Sequence, residues 1–446
     1  MEFAKGKVHR HITSFQVIFL GFFLVILTGG LLLTLPAASQ AGTWTSFSDG
    51  IFTSTSAVCV TGLVVQDTAT YWSGFGQAVI LCLIQIGGMG VVTLAVALFT
   101  ISGRKIGLMQ RSTMQEAIAA PQIGGIVRLT GFIMRTILLI EGVGALFLSL
   151  VFIPEFGFWK GIWYSVFHSV SAFCNAGFDL MGVKQQFSSL TDYTSNPIVN
   201  ITIMSLIVVG GIGFLTWDDI KTNRLRFHKY RVQSKIILTV TAILILGAAA
   251  YFYFFEFGSL PLGQRLLASF FQSVTPRTAG FNTVDLNGLS QVGQLLLIIL
   301  MITGGSPGST AGGMKTTTVA VILATAMAVF RKENEPHMFQ RRIQPDAMKN
   351  AATILMMYVV LFITGGMIIC RVEGVPLMSA LLETSSAIGT VGLSLGITPA
   401  LGTISRAVLI FLMFFGRVGG LTIIYAAVTE RRTGGAKFPV GKITVG

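Results

Sequence analysis

Long apolar stretches separated by short polar segments dominate the chain. Four of these stretches contain roughly 20 residues with few or no charges, which is the length that a helix needs to cross about 30 Å of hydrocarbon. They lie at residues 15–35, 129–151, 236–255 and 351–370. The pattern therefore predicts an all-α protein with several membrane-spanning helices.

A short motif that ends in glycine follows each long apolar stretch. Its four copies are Val60-Thr61-Gly62, Asn175-Ala176-Gly177, Thr278-Ala279-Gly280 and Thr390-Val391-Gly392. The glycines are 115, 103 and 112 residues apart, and this regular spacing predicts one structural unit that occurs four times. The predicted repeats are 15–101, 128–216, 236–330 and 349–430, joined by linkers 102–127, 217–235 and 331–348 and flanked by segments 1–14 and 431–446.

A moderately apolar piece of about a dozen residues lies between each long stretch and its motif, and it is too short to cross a bilayer. The four pieces are 46–58, 161–173, 262–275 and 376–388. Such lengths indicate re-entrant helices that enter the membrane and return. Because lipid cannot satisfy non-helical backbone, the four motifs are expected to surround one shared polar axis. The predicted architecture is four parallel span–pore helix–filter–span repeats around one central pore.

The composition and the placement of charge support this interpretation. The chain is 52% hydrophobic and only 11% charged, which excludes an ordinary soluble enzyme. Its net charge of +13 would suggest nucleic-acid binding in a soluble protein. If the chain crosses the membrane eight times, however, the polar segments on one side of the membrane contain 22 Lys and Arg, and those on the other side contain five. This asymmetry places both termini in the cytoplasm, with anionic lipid rather than nucleic acid beside the basic loops.

The position of each motif glycine suggests its chemistry. A pore helix directs its C-terminal end, with about half a negative charge, toward the axis, and four such ends favour a cation. Glycine alone presents consecutive carbonyls there without steric cost. We therefore predict a selectivity filter built from the backbone carbonyls of 60–62, 175–177, 278–280 and 390–392.

The second apolar stretch of the third repeat contains a predicted break. Its residues Gly304, Gly305, Ser306, Pro307, Gly308, Gly312 and Gly313 cannot continue a helix. Glycine pairs at the matching positions of the other repeats fit close helix packing equally well. Lys315 and Arg417 also lie deep in the second apolar stretch of the third and fourth repeats, and both are expected to face the protein interior. For Lys315, pairing with helix-end carbonyls is a competing interpretation.

The motifs "NAGFD" at 175–179, "TAGFN" at 278–282 and "TVGLS" at 390–394 resemble those of the Trk/Ktr/HKT superfamily of potassium transporters. The resemblance covers essentially the whole chain. Because the sequence begins directly with the first repeat, it is most similar to the bacterial Ktr-type membrane subunit.

The resemblance implies several properties. The transported ion is K⁺, a glycine at Gly62 goes with preference for potassium over sodium, and 304–313 is an intramembrane gating loop. Arg417 faces the pathway below the filter as a barrier. The chain forms a homodimer in the bacterial cell membrane and docks a cytoplasmic, nucleotide-binding regulatory ring of the KtrA or RCK type. The basic residues of 217–235 are candidate contacts for that ring.

A second function class competes with that of a potassium-conducting subunit. A sodium- or proton-coupled secondary cation transporter is the alternative, although the four parallel repeats favour a pore. The sequence is silent on activation by Na⁺. No catalytic triad, zinc signature, phosphate loop or organic-cofactor motif is recognisable, so we predict a protein that is not an enzyme.

Overall fold

The computed structural model describes residues 13–91, 93–95, 107–118, 124–224 and 226–427. Nearly all described residues with regular structure are helical, which confirms the predicted all-α class. The strands among them form one hairpin, in which His337–Met338 pairs antiparallel with Arg341–Arg342. The predicted tail 431–446, most of segment 1–14 and parts of linker 102–127 lie outside the described residues.

Each repeat begins with a long apolar helix. The four are Ser14–Thr34, Ile126–Phe156, Val232–Tyr251 and Pro345–Glu373. The first begins with a capping box, in which Thr13 accepts from the Gln16 N–H and the Gln16 side chain accepts from the Thr13 N–H. The third continues through one π-helical turn, Phe252–Glu256. Among described residues these four regions are long and apolar enough to cross a membrane, or six if two bent helix pairs are counted as spans.

A shorter pore helix follows each long helix. The pore helices are Phe47–Val58, Phe158–Phe173, Leu262–Val274 and Leu377–Gly389. In three repeats a hydroxyl fixes the pore helix to the long helix: Ser54 donates to Ile26 O, Ser169 to Glu141 O and Thr384 to Phe362 O. In the third repeat the matching residue is Gln272, whose buried amide has no hydrogen-bond partner among the described residues.

A returning helix completes each repeat. The returning helices are Gly74–Met89, Pro197–Gly211, Gln291–Ile302 and Thr403–Val418. Three of them pack a glycine so tightly on their own pore helix that a Cβ atom would overlap a carbonyl oxygen. The pairs are Gly87 with Val58 O, Gly210 with Phe173 O and Gly416 with Ile388 O. The glycine pairs therefore do serve close packing.

The sequence predicts a broken returning helix only in the third repeat, but the second and fourth returning helices are also broken. The second returning helix turns by 96° into Phe214–Asn223, and the fourth by 91° into Gly420–Ala427. Gly213 and Gly419 stand at these corners with φ of 92° and 91°, a conformation that favours glycine. In the third repeat, Thr316–Phe330 follows after a non-helical segment. Shorter helices lie at Thr68–Tyr71 and Leu108–Ile118.

A partly buried ion pair joins the first and fourth repeats. Arg406 on the fourth returning helix lies 2.6 Å from the Asp49 carboxylate at the start of the first pore helix. Their side chains are 19% and 13% exposed. Gln66 also donates to Asp49, at 3.1 Å. The pair therefore connects the last repeat to the first.

Replacing Arg406 by glutamine is expected to destabilise the protein, because it leaves the Asp49 carboxylate without its cation. Breaking a fully buried pair costs about 3–5 kcal/mol, and the partial exposure here places the effect below that range. Thermal unfolding in detergent measures it. Lys184→Gln is the control, since Lys184 is 54% exposed in its pair with Glu155 and such pairs contribute little. Equal melting temperatures of the two variants would contradict the role given to Arg406.

Candidate ion pathway

The four motif segments meet in a closed ring. Each motif glycine packs against the carbonyl oxygen of the residue before the glycine in the next repeat, so closely that a Cβ atom would lie within 2.6 Å of that oxygen. The pairs are Gly62 with Ala176 O, Gly177 with Ala279 O, Gly280 with Val391 O and Gly392 with Thr61 O. The order therefore runs from repeat 1 through repeat 4 and back to repeat 1. Only glycine fits at these positions.

The same unusual backbone conformation occurs in all four segments. The motif glycines have φ between 68° and 95°. The residue two positions earlier also has positive φ, although it is not glycine: Val60 51°, Asn175 59°, Thr278 73° and Thr390 51°. Left-handed residues other than glycine cost free energy and persist only where the surroundings hold them. The fourfold recurrence indicates that this backbone conformation serves the pathway.

Hydroxyl groups of the pore helices hold the segments in place. The Gly62 N–H donates to Ser56 Oγ at 3.1 Å, and the Gly392 N–H donates to Ser386 Oγ at 2.9 Å. In the second and third repeats, Ser171 and Thr275 instead donate to the carbonyls of Phe178 and Phe281. These hydroxyls thus satisfy backbone groups of a motif glycine or of the residue that follows it.

Two side chains behind the ring were not recognised from the sequence. His168 accepts at Nε2 from the Leu180 N–H, 3.3 Å away, and its Nδ1 lies 2.7 Å from Tyr164 O. Glu383, at the matching position of the fourth pore helix, accepts from the Thr398 hydroxyl. Both side chains are fully buried and hold the chain that follows a motif. Their shared position, nine residues before the motif glycine, was the available signal.

A polar mouth of about 140 Å³ opens on one side of the ring. All four motif glycines line it, together with Asp67, Asp179, Asn282 and Ser394. Asp179 accepts from the Met181 N–H at 2.9 Å, whereas Asp285 caps a turn through the Asn287 N–H and does not line the mouth. Asp67 and Asp179 are therefore placed to attract a cation to the mouth, and Asp285 is not.

An exposed ion pair lies in the loop beside this mouth. Lys184 Nζ lies 2.6 Å from Glu155 Oε1 and 3.5 Å from Asp192 Oδ2. The hydrogen bond to Glu155 raises the pKa of Lys184 above its usual value. The pair spans from the loop to Glu155 on the long helix of the second repeat, and its exposure keeps its contribution to stability small.

The glycine-rich segment 304–313, which the resemblance predicts to be a gating loop and which is named the gate loop for that reason, lies against the other side of the ring. Gly312 packs on the Thr390 side chain, and Thr310 donates through its hydroxyl to Phe173 O at 3.1 Å. The loop therefore contacts the motif of the fourth repeat and the pore-helix end of the second. A further hydrogen bond of 2.7 Å runs from the Phe214 N–H to Gly308 O.

Both deep cations bind backbone carbonyls at this loop. Lys315 Nζ donates to Ala311 O at 2.9 Å and Gly312 O at 3.2 Å, which are carbonyls of the non-helical loop and not the helix-end carbonyls of the competing interpretation. Arg417 donates to Thr310 O in the gate loop and to two carbonyls of the first returning helix, Gly87 O and Gly88 O. Arg417 therefore links the loop to the first repeat.

The ring presents backbone oxygen rather than side-chain ligands. Within the described part of the chain, no group of three or more His, Cys, Asp or Glu is arranged to hold a metal ion. Rings of carbonyl oxygens replace the hydration shell of a monovalent cation. The arrangement is suited to passing such an ion along the axis, with the polar mouth on one side and the gate loop on the other.

Comparison with known proteins identifies the family. Residues 13–433 match the TrkH family, described as cation transport protein. The chain is 40% identical to the potassium/sodium uptake protein NtpJ of Enterococcus hirae and 38% identical to the Ktr system potassium uptake protein B of Bacillus subtilis, each over 100% of both chains. The crystal structure of the potassium transporter TrkH from Vibrio parahaemolyticus is similar in fold, with a TM-score of 0.69 and 19% identity over 95% of this chain and 86% of that one. The chain therefore belongs to the TrkH family of cation transport proteins.

Proposed function

We propose that the chain is the membrane-embedded, ion-conducting subunit of a regulated potassium uptake system. The observation that carries the proposal is the closed ring of motif segments, in which each glycine contacts a carbonyl of the next repeat. The carbonyls of 60–62, 175–177, 278–280 and 390–392 would surround one dehydrated K⁺. Similarity to proteins named for potassium uptake supports K⁺ as the transported ion.

The gate loop and Arg417 would control the conducting state. A glycine-rich loop held by a few hydrogen bonds can adopt two arrangements separated by little free energy. Arg417 holds Thr310 of the loop and places a positive charge beside the end of the pathway. Together they would raise the barrier to a passing cation while the loop stays in the observed position.

Cation flux into liposomes that contain the purified chain tests this function. An outward K⁺ gradient should drive uptake of the tracer Rb⁺ through the membrane potential alone, without a gradient of Na⁺ or protons. Vesicles without protein provide the control. Flux that required a Na⁺ or proton gradient would instead support the coupled secondary transporter. Na⁺ as an activator would appear as faster Rb⁺ uptake when Na⁺ is equal on both sides.

Assembly is a further part of the proposal. The Ktr system naming of relatives supports a partner, for which we propose a cytoplasmic nucleotide-binding ring of the KtrA or RCK type. Exposed Arg226 and Lys229 offer it a basic surface. We also propose a homodimer in the bacterial cell membrane with one pore in each chain.

The proposed orientation predicts which loops reagents can reach. Residues 217–235 and 331–349 should be cytoplasmic, whereas 179–195 should be external. We expect a membrane-impermeant thiol reagent to label Val183→Cys in intact cells but Arg341→Cys only after permeabilisation. The background should replace the four native cysteines. Labelling of Arg341→Cys from outside would contradict the orientation.

A further inference from the structure

A basic cavity of about 290 Å³ lies where the long helix of the second repeat begins. Its polar lining includes Arg128 from that helix and Asp218 and Lys221 from helix Phe214–Asn223, together with Arg231. On the proposed orientation this is the cytoplasmic end of the membrane helices. The space is large enough for several waters and therefore for a phosphate group.

The charges in the cavity do not balance. Arg231 is neutralised by Asp218, 2.8 Å away, and also approaches Asp219 at 3.6 Å. Among the described residues, no carboxylate lies within 4.0 Å of the charged groups of Arg128 or Lys221. Lys221 Nζ instead lies over the Phe132 ring, 4.2 Å from its centroid. Two cations therefore stand in one cavity without an acidic partner.

Backbone polarity adds to the positive charge. Gly124 and Gly125 line the cavity, and the helix that begins at Ile126 has no side-chain cap. The first N–H groups of a helix lack partners within the helix and carry partial positive charge. A guanidinium, an ammonium group and free N–H donors form the combination that recognises phosphate oxygens.

The cavity is connected to the gate loop through one short helix. Lys221 and Asp218 lie on Phe214–Asn223, and the Phe214 N–H at its start donates to Gly308 O of the gate loop at 2.7 Å. A ligand that binds Lys221 therefore contacts the helix Phe214–Asn223, which is hydrogen-bonded to the gate loop. An anion bound more tightly in one loop arrangement than in the other would shift the balance between them.

We propose that this cavity binds a phosphate group, supplied by an anionic phospholipid or by free phosphate, and that its occupancy biases the gate loop. The binding site stands on the cavity and its charges alone. The effect on the gate loop rests on the function proposed above. The two parts can therefore be tested separately.

Binding can be measured on the purified full chain in detergent. Native mass spectrometry would compare retention of phosphatidylglycerol with that of phosphatidylcholine, and inorganic phosphate would be added as competitor. We expect Arg128→Gln with Lys221→Gln to weaken retention of phosphatidylglycerol about tenfold or more, since two charge-assisted contacts are lost. Arg341→Gln with Lys349→Gln is the control, because it removes the same charge from exposed positions outside the cavity.

A second variant tests whether the acid in the cavity weakens binding of the anionic lipid. Asp218→Asn removes the acid from the cavity lining, so phosphatidylglycerol should bind more tightly than to the parent chain. Displacement by inorganic phosphate would identify free phosphate as a ligand, whereas retention despite it would identify the lipid headgroup. Equal retention of both lipids without phosphate binding, or equal losses in the double variant and its control, would overturn the site.

Flux in liposomes tests the connection to the gate loop. Rb⁺ uptake by the parent chain should change when phosphatidylglycerol or inorganic phosphate is added, and the Arg128→Gln, Lys221→Gln variant should lose that response. Binding without any change in parental flux would overturn the effect on the gate while leaving the site intact. Absence of Rb⁺ flux under all conditions would contradict the proposed function instead.

Discussion

Replacing Gly392 by serine is expected to remove most of the discrimination between K⁺ and Na⁺. A Cβ atom at this position would overlap Thr61 O of the first repeat, and φ is 95°. The neighbouring segment must therefore move, and the ring of carbonyls loses its spacing. Gly62→Ser should act similarly through Ala176 O. The measurement is the K⁺/Na⁺ permeability ratio in liposomes, which we expect to fall about tenfold or more.

Gly42→Ser is the matched control for this experiment. Gly42 also has positive φ, 67°, but no atom lies near the position of a Cβ. The control therefore introduces a similar backbone strain without the collision between repeats. We expect the Gly42 variant to keep the parental permeability ratio. An unchanged ratio in both the Gly62 and Gly392 variants would contradict the assignment of the ring as the filter.

Shortening the gate loop is expected to raise K⁺ flux several-fold and to weaken its dependence on a regulatory partner. The loop packs on Thr390 and binds Phe173 O, so removing several residues within 304–313 withdraws it from the end of the ring. Arg417→Ala should also raise flux. It removes a charge beside the pathway and the hydrogen bonds that join Thr310 to Gly87 and Gly88. Hydrogen bonds to charged groups contribute about 1.5–3 kcal/mol each, which is enough to shift a two-state balance.

The assay is K⁺ uptake by a strain without its own uptake systems, with protein level measured by blotting. Arg135→Ala is the control for Arg417→Ala, because Arg135 is an exposed arginine on the long helix of the second repeat. Selectivity should stay near parental in Arg417→Ala, since the carbonyl ring is intact. If the loop deletion inserts and folds but conducts no more than the parent chain, the gate lies elsewhere.

The sequence was sufficient to predict the repeated parts of the fold. Apolar stretches of a characteristic length determine the long helices, and the predicted pore-helix pieces lie within a few residues of the helices observed. The left-handed glycines of the motifs were predictable because glycine alone tolerates both the conformation and the close approach. The apolar stretches and the motifs are each visible in a short segment of the sequence, even though the motif glycines contact the next repeat.

The remaining features depend on the path of the chain within a repeat or on contacts between repeats. The corners at Gly213 and Gly419 were missed because the same glycines also fit straight helices in close contact. The partners of Arg417 come from the first and third repeats, and nothing in the local sequence selects them. The pairing of His168 with Leu180 and of Glu383 with Thr398 likewise requires the path of the chain after each motif.

Crystals of the purified chain grown with Rb⁺ in place of K⁺ provide the most direct test of the central claim. Anomalous scattering locates the ion without reference to any flux assay. The account predicts a Rb⁺ peak on the axis of the ring, in contact with carbonyl oxygens from all four segments 60–62, 175–177, 278–280 and 390–392. It also predicts loss of the peak in Gly392→Ser. Rb⁺ bound only away from the ring would contradict the claim that these four segments form one filter.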